Sequence, residues 1–261
     1  MRDWITGALG EPAEQAYKAM HLITTAIVLA FVILFIVLAS MNENKISSKA
    51  KNIILKSVCI FQLSFEVLWR VLYLIFSNPT FASLWPMYPC NLGGIIIPII
   101  SLLDFKIGKK MFYVFGFVGG VLTFAMPEGI FCSTVFSFPI LKSVLQHTGL
   151  LIIPSFEFAS SKYRPFVGDY LWLILGCLIH TFNCEVVDRW LGLTGDYMFY
   201  RSGLPFVISG VPSWITISIF ALIVFYLLLF FLSFNKSIDY YKSGKWKNKY
   251  MFKKSDIVVN P

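Results

Sequence analysis

The sequence predicts an all-α polytopic membrane protein, a seven-transmembrane-helix bundle. The first observation behind this is composition: of 261 residues, 57% are hydrophobic and only 14% charged, where a soluble domain carries about a quarter charged residues. The second is segmentation, because the apolar residues fall into seven runs of roughly the length needed to cross about 30 Å of hydrocarbon as a helix. Together these exclude a nucleic-acid-binding domain, a cytosolic enzyme and a secreted disulfide scaffold. The formal net charge of +8 does not argue for an anionic macromolecule, since seven of the 22 basic residues lie within 236–254, where a cytoplasmic membrane flank accounts for them.

The first span, 22–39, is uncharged. A signal peptide would show a shorter core, a basic start and a small-residue cleavage site, so 22–39 reads as a retained helix. The second, 53–76, carries Gln62, Glu66 and Arg70. The third, 85–103, opens with Pro86 and Pro89, placed where proline is tolerated at a helix start. The fourth, 111–126, holds Gly116, Gly119 and Gly120, a small-residue surface on which two helix backbones can approach. The fifth, sixth and seventh are 140–159, 166–184 and 214–232, separated by short polar or proline-containing connections. No internal repeat or long linker interrupts the chain, so residues 1–261 form one domain.

Orientation follows from basic loops being retained on the cytoplasmic side. Lys45, Lys49 and Lys51 follow the first span, Lys106, Lys109 and Lys110 the third, Lys162 and Arg164 the fifth, and the seven tail residues the seventh, fifteen in all. The opposite side has five: Arg2, Lys18, Lys142, Arg189 and Arg201. The expected topology has the N-terminus outside and the C-terminus in the cytoplasm.

Ionisable groups within spans are costly unless paired or hydrated, which makes each a functional candidate. Gln62, Glu66 and Arg70 stand four apart on one helical face, and Glu66 before Arg70 is the favourable order for an ion pair. They point into the bundle, either as a structural pair or as a polar floor for a head group or proton. Cys90, in Pro86-Met-Tyr-Pro-Cys-Asn, sits in the first turn of the third span, where the helix dipole and unpaired amides favour a thiolate. Asn91 and Tyr88 are candidate donors to an oxyanion. His147 starts the fifth span at the same depth, so the two can share a pocket if their helices are neighbours; a cysteine and a histidine brought together are the minimum for acyl transfer through a thioester. Structural roles, an apolar filler for Cys90 and a carbonyl-bonded imidazole for His147, compete with this reading.

His180, Asn183, Asp196 and Tyr197 cluster at the outer end of the sixth span and in the loop after it, as a lid or orienting layer. Cys90, His147 and His180 share no recognised zinc-ligand spacing, so no metal is expected, and no nucleotide or haem motif calls for a cofactor. Among five cysteines, topology permits a disulfide between Cys132 and Cys184. The seventh span has no lysine, which excludes a retinal Schiff base.

The order of these motifs, Pro86-Met-Tyr-Pro-Cys-Asn, Pro127-Glu, Gln146-His-Thr-Gly, Tyr163-Arg-Pro, Asn183 and Asp196-Tyr-Met-Phe-Tyr, resembles the YwaF family of bacterial integral membrane proteins, whose eukaryotic relative is transmembrane protein 164. The resemblance covers residue 85 to the last span. It implies a lipid acyltransferase that moves a fatty acyl chain between phospholipids, with the family's cysteine on Cys90 and its histidine on His147. The chain departs from the pattern at Tyr88, where a histidine two positions before the cysteine is expected, and at Asp196, where an asparagine is.

The function expected from sequence is therefore acyl transfer to a lysophospholipid or to water in a bacterial plasma membrane. The expected ligand is a phospholipid or lysophospholipid; neither a nucleic acid nor an obligate protein partner is expected. Cys90 is the nucleophile, His147 the base, and Glu66 with Arg70 orients His147 or holds a head group. The rivals are a small-solute carrier, to which Pro98 and Pro154 within spans would suit, and a non-catalytic lipid-binding protein.

Overall fold

A computed structural model describes residues 1–9, 11–77, 79–80, 84–127, 130–192 and 211–242. The regular structure of the described residues is helical, apart from an isolated bridge between Pro12 and Ser133. Its helices are α1 (Arg2–Thr6), α2 (Ala19–Ser40), α3 (Ser48–Phe76), α4 (Pro89–Leu102), α5 (Lys106–Ala125), α6 (Phe138–Ala159), α7 (Tyr170–Thr181), α8 (Ser213–Leu232) and α9 (Phe234–Lys242). α7 is entered through a 3-10 turn, Val167–Asp169, and left through a π-helical turn, Phe182–Val187.

Local chemistry sets several boundaries. Ser47 caps α3 by accepting from the Ala50 amide at 3.2 Å, as N-cap hydroxyls do. Pro89 opens α4, and α6 likewise has a proline in its first turn, where the missing N–H costs no helix bond. The tight turns after α4 and α6 pass through Asp104 and Ser161, both with positive φ.

Among the described residues, five helical runs are long and apolar enough to cross a membrane: α2, α3, α5, the continuous run Val167–Val187 around α7, and α8. The expected third and fifth spans depart from this standard for different reasons. α4 has 14 residues, a rise of about 21 Å at 1.5 Å per residue, because the chain from Trp85 to Tyr88 is not helical. α6 has 22 residues, but it is the central helix, packed against α2, α3, α4 and α5. It is buried around its circumference and carries Lys142, Gln146, His147, Ser155 and Glu157 inward. Its polar residues face protein, so its length is not matched by a lipid-facing composition. α8 lies at the periphery against α5 and α7 and leaves Ile219, Phe220, Ile223 and Phe231 exposed, the pattern of a lipid-facing helix.

Successive helix ends alternate between two ends of the bundle. At one end α1 is tied to the start of α6, with Trp4 Nε1 donating to the Phe136 carbonyl at 2.9 Å, and Asn183 is tied to Trp85 and Pro86. At the other, Lys51 reaches the Ala39 carbonyl at the end of α2 and Lys162 donates to Asn52.

Small residues set the interhelical distances. Gly116 faces Ile97 and Leu150, and Gly120 faces Leu151, whereas Gly119 has nothing within 4 Å of where a Cβ would stand. The expected glycine surface thus has two working members. The tightest backbone approach lies elsewhere, at Gly176 of α7, where a Cβ would stand 2.9 Å from the Met111 carbonyl carbon and nearer still to its oxygen. Backbone cannot rotate aside as a side chain can. Gly176→Val is expected to destabilise the protein by about 1–3 kcal/mol, the range for overpacking, seen as a lower thermal midpoint in detergent. An unchanged midpoint would show that α5 and α7 separate there without cost.

Candidate active site at the start of α4

Cys90 occupies the first turn of α4, half-buried. The non-helical stretch before it is held from α7. Asn183 accepts from Trp85 Nε1 at 2.8 Å and donates through Nδ2 to the Pro86 carbonyl at 2.8 Å, with the Met87 carbonyl at 3.4 Å. The Cys184 thiol lies 2.9 Å from that same Met87 carbonyl. Asn183 therefore fixes the chain that leads into the cysteine.

The far side of the turn is held from α6. Gln146 Nε2 donates to the Cys90 carbonyl at 2.8 Å. The Lys142 ammonium donates to Asn91 Oδ1 at 2.7 Å and to Gln146 Oε1 at 2.6 Å. This close approach requires Gly94, where a Cβ would stand 2.7 Å from Gln146 Nε2. Lys142, which sequence places among outer loop charges, is buried, and it is within electrostatic reach of Cys90, Glu66 and Arg70. Asn91 was expected to donate to an oxyanion; here its oxygen is engaged by lysine, and only its amide nitrogen is left for that task.

On α3, Gln62 and Glu66 are buried. Arg70 Nη1 donates to Glu66 Oε2 at 2.7 Å and to the Glu66 carbonyl at 2.8 Å. Glu66 Oε1 and Gln62 Nε2 are buried without a hydrogen-bond partner, a costly state that a polar ligand or water would relieve. Gln62 packs on α6 at Gly149, where a Cβ would come within 2.8 Å of its amide carbon. α3, α4 and α6 thus enclose one polar group of side chains around the cysteine turn.

His147 follows Gln146 directly, at the level of Cys90, and is buried. Its imidazole does not hydrogen-bond the thiol. Nδ1 lies 2.7 Å from the Ser143 carbonyl, which can only accept, so Nδ1 carries the proton and Nε2 keeps its lone pair. The ring sits edge-on to Phe124, centroids 6.5 Å apart. The structure brings together Cys90, Asn91, Gln62, Glu66 and Arg70 as one neighbourhood and sets His147 at its edge.

Other expected members lie apart. His180 is buried between aromatic rings, stacked on Phe115 at 4.4 Å and edge-on to Phe112 at 5.4 Å, with Nδ1 unbonded. Tyr88, by contrast, stands beside the site: it is exposed at the start of α4, within electrostatic reach of Cys90. Asp196 and Tyr197 lie outside the described residues. The possible Cys132–Cys184 disulfide is not formed: Cys184 is turned to Met87, and Cys132 to the Glu14 carboxylate at 3.8 Å.

Sequence reading missed Lys142 and Gln146 as site residues. Their i, i+4 spacing within an apolar run was the available signal. It also missed Glu157 at the opposite end of α6, which is fully buried. Its Oε1 accepts from Ser101 Oγ at 2.9 Å and Tyr113 OH at 2.7 Å, and its Oε2 from Lys109 Nζ at 2.6 Å.

Long apolar helices around a polar interior define an integral membrane protein. The chain belongs to the TMEM164 family, whose profile matches residues 16–232. No curated protein and no solved structure matches it.

Proposed function

We propose that this protein is a membrane-embedded lipid acyltransferase or acyl hydrolase that works through a thioester on Cys90. The observation that carries the reading is electrostatic. Around the cysteine turn, the buried carboxylate of Glu66 stands against two cations, Arg70 and Lys142, leaving one positive charge uncompensated among the described residues. A thiolate at Cys90, or the oxyanion of a tetrahedral intermediate beside it, neutralises that charge in a low-dielectric site.

The His147 Nε2 lone pair takes the Cys90 proton as sulfur attacks the ester carbonyl of a phospholipid. The C–S bond forms, the ester C–O bond breaks, and the leaving lysophospholipid oxygen receives the proton from the imidazolium. A second lysophospholipid hydroxyl, or water, then gives its proton to Nε2 and attacks the thioester, and the proton returns to sulfur. Nε2 must turn toward the thiol for the first step, with Glu66, Arg70 and the unbonded Gln62 amide available to a head group. Tyr88 and Asn91 are donors to the oxyanion. The same reading places seven spans in a bacterial plasma membrane, with α4 and α6 as the third and fifth, the N-terminus and Cys90 outside and the C-terminus in the cytoplasm.

The direct test is to give the full chain, in vesicles, a phospholipid with a labelled acyl chain and a lysophospholipid acceptor, then quench in acid and digest. The expected result is labelled acyl on the Cys90 peptide, removable by hydroxylamine, together with transfer or release of label. Neither label on Cys90 nor turnover with any phospholipid class would remove the covalent mechanism.

A further inference from the structure

The end of the bundle opposite Cys90 holds a second group of charges that acyl transfer does not use. A cavity of about 450 Å³ lies between the start of α5, the chain after α6 and the start of α9. Lys106, Lys110, Lys162, Arg164 and Lys236 line it. Few of these charges are matched. Asp104 is taken by Lys109, and Asp169 accepts from Tyr163 OH at 3.0 Å, with Lys110 at 3.9 Å. Lys162 donates to the Asn52 side-chain oxygen, Arg164 to Ser161 Oγ and Lys236 to the Arg164 carbonyl, all neutral acceptors. Lys106, Lys162, Arg164 and Lys236 form no close ion pair with a carboxylate among the described residues; Asp169 acts on Lys236, and Glu157 and Asp104 on Lys162, only at longer range.

The local backbone adds to this imbalance. α5 begins without a side-chain cap, and its first five residues include Lys106, Lys109 and Lys110 with no acidic residue. The free amides and dipole of a helix N-terminus favour an anion and disfavour cations. Burial also pushes the Lys162 and Lys236 ammoniums below the ordinary lysine range; Glu157 partly offsets this at Lys162 and Asp169 at Lys236, while the cations Lys110 and Arg164 add to it at Lys236. Every one of these terms is relieved by one negative group.

A second cavity, of about 550 Å³, adjoins the first and shares Arg164 and Lys236 with it, with Asp239 as its one carboxylate against these two cations among the described residues. Its wall is apolar where Phe158, Leu232 and Phe234 line it. We propose that the two cavities together bind an anionic phospholipid, its phosphate among Lys106, Lys162, Arg164 and Lys236 and the start of an acyl chain along Phe158, Leu232 and Phe234. In the proposed orientation this is the cytoplasmic leaflet, where anionic lipids meet basic flanks. The site is separate from Cys90 and stands or falls independently of the thioester chemistry.

Native mass spectrometry of the detergent-solubilised full chain tests this with phosphatidylglycerol, phosphatidylcholine and inorganic phosphate. Phosphatidylglycerol is expected to be retained in preference to phosphatidylcholine. Lys162→Gln with Lys236→Gln is expected to weaken that retention about tenfold or more, the loss of one or two charge-assisted contacts, with labelling of Cys90 unchanged. Lys106→Gln, whose side chain makes no hydrogen bond that folding relies on, is expected to weaken it in the same direction. Equal retention of the two lipids by the wild type, or full retention by all variants, overturns the proposal. Displacement of phosphatidylglycerol by millimolar inorganic phosphate bound in the same lysine-dependent way would assign the basic cavity to a soluble phosphate and overturn the lipid.

Discussion

Cys90→Ala is expected to lower acyl transfer and release by about 10³-fold or more, the scale of removing a nucleophile. His147→Ala is expected to lower both by about 10²–10⁴-fold, the range for losing a general base. The double variant should lose little beyond Cys90→Ala alone, because residues acting as one unit are not additive. Neither substitution removes a contact between helices made by hydrogen bonding, since Cys90 contributes its backbone carbonyl rather than its sulfur to the Gln146 contact and His147 bonds within its own helix, although His147→Ala leaves a cavity beside Phe124. Initial rates with labelled phospholipid, compared at equal amounts of folded protein, measure this. A Cys90→Ser variant that keeps solute uptake while every variant lacks acyl chemistry would favour the carrier instead.

Glu157→Ala is expected to be the most damaging single change to stability. The carboxylate is fully buried and accepts from Ser101, Tyr113 and Lys109. Removing it deprives two buried hydroxyls, Ser101 and Tyr113, of their carboxylate acceptor and leaves the Lys109 ammonium, whose side chain is 4% exposed, with Asp104 as its remaining ionic partner. Breaking a buried pair in this way costs about 3–5 kcal/mol. Lys109→Met combined with Glu157→Met is expected to recover much of that loss, because replacing both partners by apolar groups avoids an isolated charge. Thermal midpoints in one detergent compare the three proteins. A Glu157→Ala midpoint equal to wild type would mean that the carboxylate is not what ties α4, α5 and α6 together.

The long apolar helices were legible because lipid selects for run length, and the runs at 22–39 and 214–232 become α2 and α8 within a few residues of either end. The central helix was harder to read. A residue facing four helices is judged by its partners, and partners come from distant sequence. Lys142 therefore passed for a loop charge, and Glu157 went unnoticed at the end of an apolar run. The Glu66–Arg70 pair was readable because both members lie on one helix. His180 misled for the converse reason: an imidazole near polar neighbours in sequence turns in space to Phe115 and Phe112.

The π-helical turn Phe182–Val187 gives α7 a mechanical office. An α-helix turns successive side chains by about 100°, and its widened last turn lets the adjacent side chains Asn183 and Cys184 grip the same short strap, Trp85 to Met87. The helix that carries Cys90 is thus suspended from its neighbour. Any shift of that bracket therefore carries the strap, and with it the depth and tilt of the Cys90 turn, without a residue touching the thiol.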